Sequence, residues 1–320
     1  MTVKALYIMS SPRGGSTLVS LVLGQHAKTV NLGEVCFIPK LLSLDEMCTC
    51  GQQLNQCGEW AKVFTRLAAA SGVDMRAKPY GLHLDDAMKW KDGSGKIDHQ
   101  RQTKARVAIA RWRVAADSVG LALPPFLGGS WVTPPSIKDG VNNTMKLYTA
   151  AAEEWNSDLV VDASKLPRKA VHLYRAFPDE VRILHLTRDG RGVSASRMGH
   201  MPFERAAERW HHYHQLTTQL LGKWVDPAHR FSMQYEAFTS EPEKWTSQLC
   251  EWLNIEYDPN MLQFSNDSVY HSAGGNPTRF KLAEEGIRPT DDQWRSRLTA
   301  DHIARFDAVA GQLNHQLGYQ

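Results

Sequence analysis

The chain has 320 residues, enough for one large α/β domain or for two modest ones. Its composition is ordinary for a globular protein, with 42% hydrophobic and 22% charged residues and no low-complexity tract. The formal net charge of +3 is too small to argue for nucleic-acid binding by itself, whereas a small anionic ligand needs only a local basic pocket.

The N-terminal segment and the apolar runs bear on the location of the protein. Residues 1–10 lack the basic region, long apolar core and small-residue cleavage site of a secretory signal. No apolar run approaches the ~20 residues that a membrane-spanning helix needs. We therefore expect a cytoplasmic protein without a membrane span.

The first predicted elements are a strand over residues 3–10, a glycine-containing loop, and a helix that starts near Ser16 or Thr17. The loop reads Ser10-Ser-Pro-Arg-Gly-Gly-Ser-Thr17, and both Ser16 and Thr17 are good N-cap residues. Glycines let successive backbone N–H groups point at one phosphate, and the helix N-terminus adds a partial positive charge. The loop therefore suits a phosphate, although glycine and serine also suit an ordinary strand–helix turn.

The same loop differs from the phosphate loop of kinases and ATPases. That pattern is Gly-x-x-x-x-Gly-Lys followed by Ser or Thr, and no lysine precedes Ser16 here. The cation of this loop is Arg13, which comes earlier and directly after Pro12. A strand, a loop and a helix at the start of a chain are typical of nucleotide-binding α/β domains.

The strand signal fades after a second short strand, or its exit loop, at residues 30–34. Residues 105–116 predict a helix with apolar and basic faces. We interpret residues 45–157 as a mainly helical insertion, or cap, that shapes an acceptor site.

Three of the five cysteines, Cys48, Cys50 and Cys57, lie close together in this region. An odd number of cysteines in a reducing compartment argues against a disulfide framework. Three thiols would bind zinc if a fourth ligand came from elsewhere in the chain. Reduced loop cysteines and a labile disulfide are the alternatives, and our set of predicted site residues includes no metal ligand.

The α/β pattern returns after residue 157. Strands alternating with helices imply a parallel sheet with helices on both faces. The predicted fold class is therefore α/β, with three layers in one domain over residues 1–320. The predicted strands are residues 158–162, 181–187 and 231–235, and the predicted helices are residues 193–198, residues 245–253 and the segment between Pro167 and Pro178.

A second phosphate-binding pattern follows the predicted strand at residues 181–187. Arg188 comes at the strand end, and Ser196 follows eight residues later. An arginine meets a phosphate through its planar fork, and a helical serine adds a neutral donor. Salt bridges of Arg188 and Arg191 at a helix start are the alternative.

These two segments, in this order, resemble the sulfotransferases that use 3′-phosphoadenosine 5′-phosphosulfate (PAPS). The residues Pro12-Arg-Gly-Gly-Ser-Thr17 are similar to the family's 5′-phosphosulfate loop, Pro-Lys/Arg-Ser-Gly-Thr/Ser-Thr, from which Gly14 departs. Arg188 and Ser196 are similar to the family's 3′-phosphate segment. The resemblance covers most of residues 3–40 and 158–300, and it implies a P-loop-like parallel sheet.

Smaller matches surround these segments. Gly33-Glu34 resembles the segment that bears the general base in tyrosylprotein sulfotransferases and related bacterial enzymes, and Lys165 lies in a segment like the family's Lys-x-Pro, whose lysine reaches the transferring sulfate. Tyr235 resembles the tyrosine beside the adenine, and Arg279 lies in a late loop of bacterial members that would close over the 3′-phosphate. A surface glutamate, a solvated lysine and a core tyrosine are the alternatives.

The resemblance implies in-line displacement at sulfur, from PAPS to a hydroxyl or amine acceptor. It implies no covalent enzyme intermediate and no metal, with 3′,5′-adenosine bisphosphate as the product. The implied catalytic residues are Arg13, Glu34 and Lys165. The implied donor-binding residues are Arg13, Gly14, Gly15, Ser16, Thr17, Arg188, Ser196, Tyr235 and Arg279.

Two other classes of function stay open at this point. Asp162, at the end of a predicted strand, resembles the aspartate that positions magnesium in P-loop kinases. The second alternative is a non-catalytic nucleotide-binding module, which would keep the same fold.

The acceptor is open among small molecules, glycans, lipids and peptides, with no nucleic acid expected, and the oligomeric state is open too. We interpret the histidine-rich segment at residues 211–214 as a polar helix face rather than a metal site.

Overall fold

The computed structural model describes residues 4–77, 84, 104–125, 133–264, 270–281, 286–289 and 293–320. The described strands are β1 Lys4–Met9, β2 Thr29–Gly33, β3 Leu159–Asp162, β4 Val181–Thr187 and β5 Arg230–Gln234. The described α-helices are α1 Ser16–Gly24, α2 Ile38–Ser43, α3 Gly58–Ser71, α4 Lys104–Ala122, α5 Pro135–Glu154, α6 Pro167–Ala176, α7 Gly190–Arg197, α8 Phe203–Trp224, α9 Tyr235–Ser240, α10 Pro242–Leu253, α11 Gln293–Arg297, α12 Ala300–Phe306 and α13 Gln312–Gln316.

The strands form one parallel sheet in the order β2-β3-β1-β4-β5. The first strand is central, and the chain crosses over it in passing from β3 to β4. Ligands of open α/β sheets bind outside the carboxyl ends of the strands, where the strand order reverses. The loops that follow β1, β3 and β4 meet at this place.

Side chains of β1 alternate between two apolar cores, one on each face of the sheet. Leu6 and Ile8 pack in a core that α1 and α10 complete, whereas Tyr7 and Met9 face a larger core that includes residues of α3, α5, α6 and α8. This alternation is the period of two expected of a strand with both faces buried. The three-layer α/β fold predicted from the sequence is confirmed.

The C-terminal helices form a third apolar cluster against α7 and α8. Trp210 of α8, Phe306 of α12 and Trp294 of α11 are its largest buried rings. A Cβ on Gly190, the first residue of α7, would lie 2.5 Å from the Phe306 ring. The cluster therefore presses on the start of α7, directly after the end of β4.

The described part of residues 45–157 is mainly helical, as predicted, and consists largely of α3, α4 and α5. Trp60 and Phe64 of α3 and Tyr148 of α5 lie fully buried in the same core as β1 and β3. The segment therefore completes one layer of the fold, and its role as a cap over an acceptor stays a prediction. Within the described residues, no helix is long and apolar enough to cross a membrane.

Three local expectations differ from the structure. The N-cap of α1 is Gly15, with φ of +92°, and Ser16 is already the first helical residue, because the loop must turn through a left-handed conformation before the helix starts. Tyr235 opens α9 instead of closing β5. His214 does not lie on a polar helix face; it is fully buried and its Nδ1 lies 3.1 Å from Nε2 of His185.

Candidate active site

The loop after β1 folds back on itself between Ser10 and Gly15. The Gly14 N–H donates to the Ser11 carbonyl at 2.9 Å, and both Arg13 and Gly15 have positive φ, +72° and +92°. A Cβ on Gly14 would lie only 2.2 Å from Ser10 Oγ. The same Cβ would lie 2.8 Å from the Ser11 carbonyl oxygen, so the folded-back loop leaves little room for a side chain at position 14.

The ring of Tyr235 packs directly on Gly15. A Cβ on Gly15 would lie 2.0 Å from Cδ2 of that ring, so only glycine fits here. The Arg188 guanidinium lies over the same ring, with its Cζ 5.0 Å from the ring centroid, and its Nη1 donates to the Arg13 carbonyl at 3.0 Å. The structure thus brings the two predicted phosphate segments and Tyr235 together.

Several polar atoms of these segments are buried without a partner. Ser11 Oγ, Arg188 Nε, Ser194 Oγ and Ser196 Oγ make no hydrogen bond among the residues that the structure describes. Buried polar groups are almost always paired in folded proteins. Unpaired donors on the loops after β1 and β4 and on α7 fit an anionic ligand such as a phosphate or a sulfate.

The end of β4 is fixed by side chains that the sequence motifs did not indicate. Trp210 Nε1 donates to the Arg188 carbonyl at 3.1 Å, and the Asp189 N–H donates to Glu236 at 3.0 Å. Burial raises the pKa of Glu236 above its ordinary value. The Gly190 N–H donates to the Asn314 side chain at 3.0 Å, so the C-terminal region holds the turn that carries Arg188.

A further basic group lies near this loop. Burial lowers the pKa of Arg197, at the end of α7, and the charges of Arg209 and Arg13 lower it further. The positive charges of Arg197, Arg209 and Arg13 repel one another, and a bound anion would offset this repulsion. Arg197 directly follows the predicted Ser196, but Arg209 on α8 carries no motif and could be found only through the fold.

Glu34 and Lys165 form an ion pair, although 131 residues separate them in the sequence. Glu34 follows β2, and Lys165 follows β3 with a positive φ of +65°. Both side chains are partly buried, with 22% of Glu34 and 14% of Lys165 exposed. The structure therefore brings the predicted base and the predicted sulfate-binding lysine into direct contact.

Tyr213 of α8 positions the backbone of Lys165. Its hydroxyl donates to the Lys165 carbonyl at 2.9 Å, and burial raises the pKa of Tyr213 well above its ordinary value. The Tyr7 hydroxyl accepts from the Leu166 N–H at 3.1 Å. No local sequence pattern indicates this role of Tyr213, because its partner lies 48 residues away.

Asp162, the last residue of β3, is fully buried. Its carboxylate accepts from the Tyr148 hydroxyl and from the Ser164 hydroxyl, each at 2.5 Å, and from the Ser164 N–H at 2.7 Å. Burial raises its pKa to about 6. The protein itself engages both oxygens of the aspartate that would position magnesium in a kinase.

The late loop that carries Arg279 covers Glu34 and the start of α1. The Glu34 N–H donates to the Ala273 carbonyl at 2.7 Å, and the Asn276 N–H donates to Thr17 Oγ1 at 3.2 Å. The buried Arg279 guanidinium donates to the Gly275 carbonyl at 2.6 Å and to the Met47 carbonyl at 3.4 Å. Among the described contacts, Arg279 thus belongs with the Glu34 loop and not with Arg188.

The fold is a parallel α/β sheet with basic loops at its carboxyl edge, and the family model that matches the chain makes it a transferase. Residues 5–259 match the model of the Sulfotransferase family, so the chain belongs to that family and is a sulfotransferase. No curated protein matches the sequence.

Among the solved structures that resemble the chain, two sulfotransferase domains share its fold. The sulfotransferase domain from the curacin biosynthetic pathway has a TM-score of 0.52 at 16% identity, covering 99% of this chain and 98% of that one. The sulfotransferase domain from the Synechococcus PCC 7002 olefin synthase has a TM-score of 0.51 at 20% identity, covering 97% of this chain and 95% of that one. At such identities the likeness concerns the fold alone.

Proposed function

We propose that this sulfotransferase takes its sulfuryl group from PAPS and transfers it to a hydroxyl or amine acceptor. The observation that carries the proposal is the set of buried polar atoms, Ser11 Oγ, Arg188 Nε and Ser196 Oγ, that lack a partner among the described residues. An unpaired buried donor costs about 1–3 kcal/mol. The phosphate and sulfate oxygens of PAPS are acceptors of the kind that these atoms need.

We assign one group of donor-binding residues to the 5′-phosphosulfate and a second group to the 3′-phosphate and the adenine. The 5′-phosphosulfate would lie at the N-terminus of α1, against the backbone of residues 14–17 and the Arg13 side chain. Arg188 and Ser196 would bind the 3′-phosphate, and Tyr235 would lie beside the adenine. A 3′-phosphate role for Arg279 stays a prediction, since its guanidinium would have to leave the carbonyls that it now contacts.

The ion pair between Glu34 and Lys165 supports the proposed chemistry. The Lys165 ammonium lies against the Glu34 carboxylate, and a carboxylate near the acceptor would act as the general base. As the acceptor oxygen bonds to sulfur and the bond from sulfur to the 5′-phosphate oxygen breaks, the acceptor proton would pass to Glu34. Arg13 and Lys165 would offset the charge that builds on the departing oxygen.

The kinase alternative is less well supported. Asp162, the candidate magnesium ligand, is already bonded to Tyr148 and Ser164 and is fully buried. The loop after β1 also lacks the lysine of the kinase pattern.

The cytoplasm is the expected location of the protein. The expected acceptor classes are small molecules, glycans, lipids and peptides.

A transfer assay tests the proposal. PAPS is incubated with the protein and a panel of phenols, sugars, sterols and peptides, and release of 3′,5′-adenosine bisphosphate is followed by chromatography. We expect release that depends on one acceptor class and falls about 10²–10⁴-fold in Glu34→Gln. Glu251→Gln, an exposed change on α10, is the matched control and should act as the wild type does.

The result that contradicts the proposal is tight binding of PAPS with no transfer to any acceptor. That outcome would favour a non-catalytic nucleotide-binding module. Acceptor-dependent transfer at the wild-type rate by Glu34→Gln would instead remove Glu34 from its role and leave the donor assignment intact.

A further inference from the structure

Four side chains that donate strongly to metals meet next to the Glu34 loop. They are Cys48, Cys50, Cys57 and His271, and their sulfur and nitrogen ligand atoms all lie within 4.8 Å of one another. Cys50 Sγ lies 3.7 Å from Cys57 Sγ. His271 Nδ1 lies 3.7 Å from Cys48 Sγ and 3.3 Å from Cys57 Sγ.

The three separations of 3.3–3.7 Å are close to those between the ligands of a tetrahedral zinc site. With Zn–S bonds of about 2.3 Å and Zn–N bonds of about 2.0 Å, tetrahedral ligands stand roughly 3.5–3.8 Å apart. Three thiolates and one imidazole are also a common ligand set of structural zinc sites, in which all four positions are filled by the protein. We propose that Cys48, Cys50, Cys57 and His271 bind one zinc ion as a structural site, separate from the reaction centre.

The backbone brings the ligands together by its own hydrogen bonds. The Gly51 N–H donates to the Cys48 carbonyl at 3.0 Å, closing a tight turn around Cys50. Thr49 Oγ1 donates to the Tyr270 carbonyl at 2.5 Å and accepts from the Ser272 N–H at 2.8 Å, which places His271 opposite the thiols. The fourth ligand therefore comes from a segment 214 residues beyond Cys57.

The environment of the four ligands fits a closed site with access from one side. Cys48 and Cys57 are fully buried, whereas Cys50 and His271 are partly exposed and leave a route for the ion. The Trp155 ring stacks on the His271 ring, with centroids 6.3 Å apart and an interplanar angle of 24°. A disulfide between Cys50 and Cys57 would use only two of these four side chains. A zinc ion would be bound by all four, including Cys48 and His271.

A zinc ion at this position would link two segments that are far apart in the sequence. Zinc would join the segment of residues 48–57 to the segment of residues 270–275. The second segment carries Ala273, whose carbonyl accepts from the Glu34 N–H at 2.7 Å. The metal would thus clamp the loop that covers Glu34, without itself contacting the reacting groups.

Metal content tests the site independently of sulfuryl transfer. Protein produced in zinc-supplemented medium and dialysed is analysed by mass spectrometry for metals. We expect one zinc per chain in the wild type and a loss of at least tenfold in Cys57→Ser and His271→Ala. Cys250→Ser, which changes a buried free cysteine on α10 outside the cluster, is the matched control and should keep its zinc.

Cobalt substitution covers the case in which these variants fail to fold. The wild-type protein with Co²⁺ in place of zinc should show the visible bands of tetrahedral cobalt and a near-ultraviolet thiolate charge-transfer band. Wild-type protein with no bound metal and no tetrahedral cobalt spectrum would overturn the inference. A Cys50–Cys57 disulfide in the intact protein, or full zinc content in Cys57→Ser and His271→Ala, would overturn it equally. The bisphosphate-binding and transfer assays can fail or succeed without changing any of these results.

Discussion

Gly15→Ala tests the turn that precedes α1. Gly15 has φ of +92°, a conformation that costs an ordinary L-residue about 1–2 kcal/mol. The new Cβ would lie 2.0 Å from Cδ2 of Tyr235, whereas carbon atoms prefer separations of about 3.5–4.0 Å. The ring would have to retreat by roughly 1.5 Å. Because Arg188 lies over that ring, its guanidinium would move too.

We expect this displacement to weaken nucleotide binding. In isothermal titration calorimetry the dissociation constant for 3′,5′-adenosine bisphosphate should rise at least about tenfold, equal to about 1.4 kcal/mol. In urea unfolding the variant should lose more than the about 1–2 kcal/mol of the backbone conformation, because displacing the ring adds its own cost. Gly72→Ala is the matched control, since Gly72 is the C-cap of α3 with φ of +75° and a Cβ there meets no atom within 4 Å. It should lose only about 1–2 kcal/mol and bind the nucleotide as the wild type does.

The refuting result is wild-type nucleotide affinity in Gly15→Ala together with the expected loss of stability. That pair of results would mean that the loop turns as described but does not bind the donor. The double variant Gly15→Ala/Tyr235→Ala separates the two causes, because it should bind no more weakly than Tyr235→Ala alone. Fully additive losses would show that the Tyr235 ring is not the obstacle.

Three further predictions concern charge. Arg13→Ala should lower kcat about 10²–10³-fold with a much smaller effect on the dissociation constant of the donor, measured by steady-state kinetics beside calorimetry; equal losses would undo its catalytic assignment. Arg188→Ala should instead weaken binding of 3′,5′-adenosine bisphosphate, and an unchanged dissociation constant would remove Arg188 from the donor site. Burial lowers the pKa of His185 to about 4 and that of its partner His214 well below 6.5. Because the unfolded chain then binds more protons, the stability from this neutral pair is complete above about pH 6.5 and is lost as the pH falls toward 4. Urea unfolding across this range should show that slope, and it should shrink in His214→Gln; an unchanged slope would contradict a neutral buried pair.

The inner strands β3 and β4 could be predicted because most of their residues are apolar and buried on both faces. The predicted strand at residues 181–187 coincides with β4, and the predicted strand at residues 158–162 contains β3. Buried parallel strands read as continuous apolar runs, and the loops at their carboxyl ends then fall at one edge of the sheet. Arg13, Arg188 and Tyr235 each lie in a segment that follows a strand, so they could be expected to lie close together at that edge.

The sequence could not predict contacts between segments that only the fold brings together. Tyr213 reaches Lys165, and His271 reaches Cys57, across long stretches of chain with no spacing rule to connect them. The helix α1 begins at Ser16, within the predicted start, but its N-cap is Gly15 and not Ser16 or Thr17, for a related reason. Ser16 has the better intrinsic preference, but the ring of Tyr235 on Gly15 and the left-handed turn decide where the helix begins.

The buried His214 is a second case in which the local sequence pattern predicts the wrong environment for a residue. Its neighbours in the sequence, His211 and His212, are polar, and this local pattern predicts a polar face. In the fold, His214 faces His185 of β4 and the Trp210 ring, with ring centroids 5.4 and 4.8 Å away. Which side of α8 is buried depends on the sheet beneath it, and this information is absent from the segment itself.

Calorimetry of the wild-type protein with 3′,5′-adenosine bisphosphate, 5′-AMP and ATP, all without magnesium, tests the central claim most directly. We predict micromolar binding of the bisphosphate, at least about tenfold tighter than that of 5′-AMP or ATP, because the 3′-phosphate would satisfy the buried donors of Arg188 and Ser196. Absence of bisphosphate binding, or a preference for ATP once magnesium is added, would contradict the assignment of the donor site.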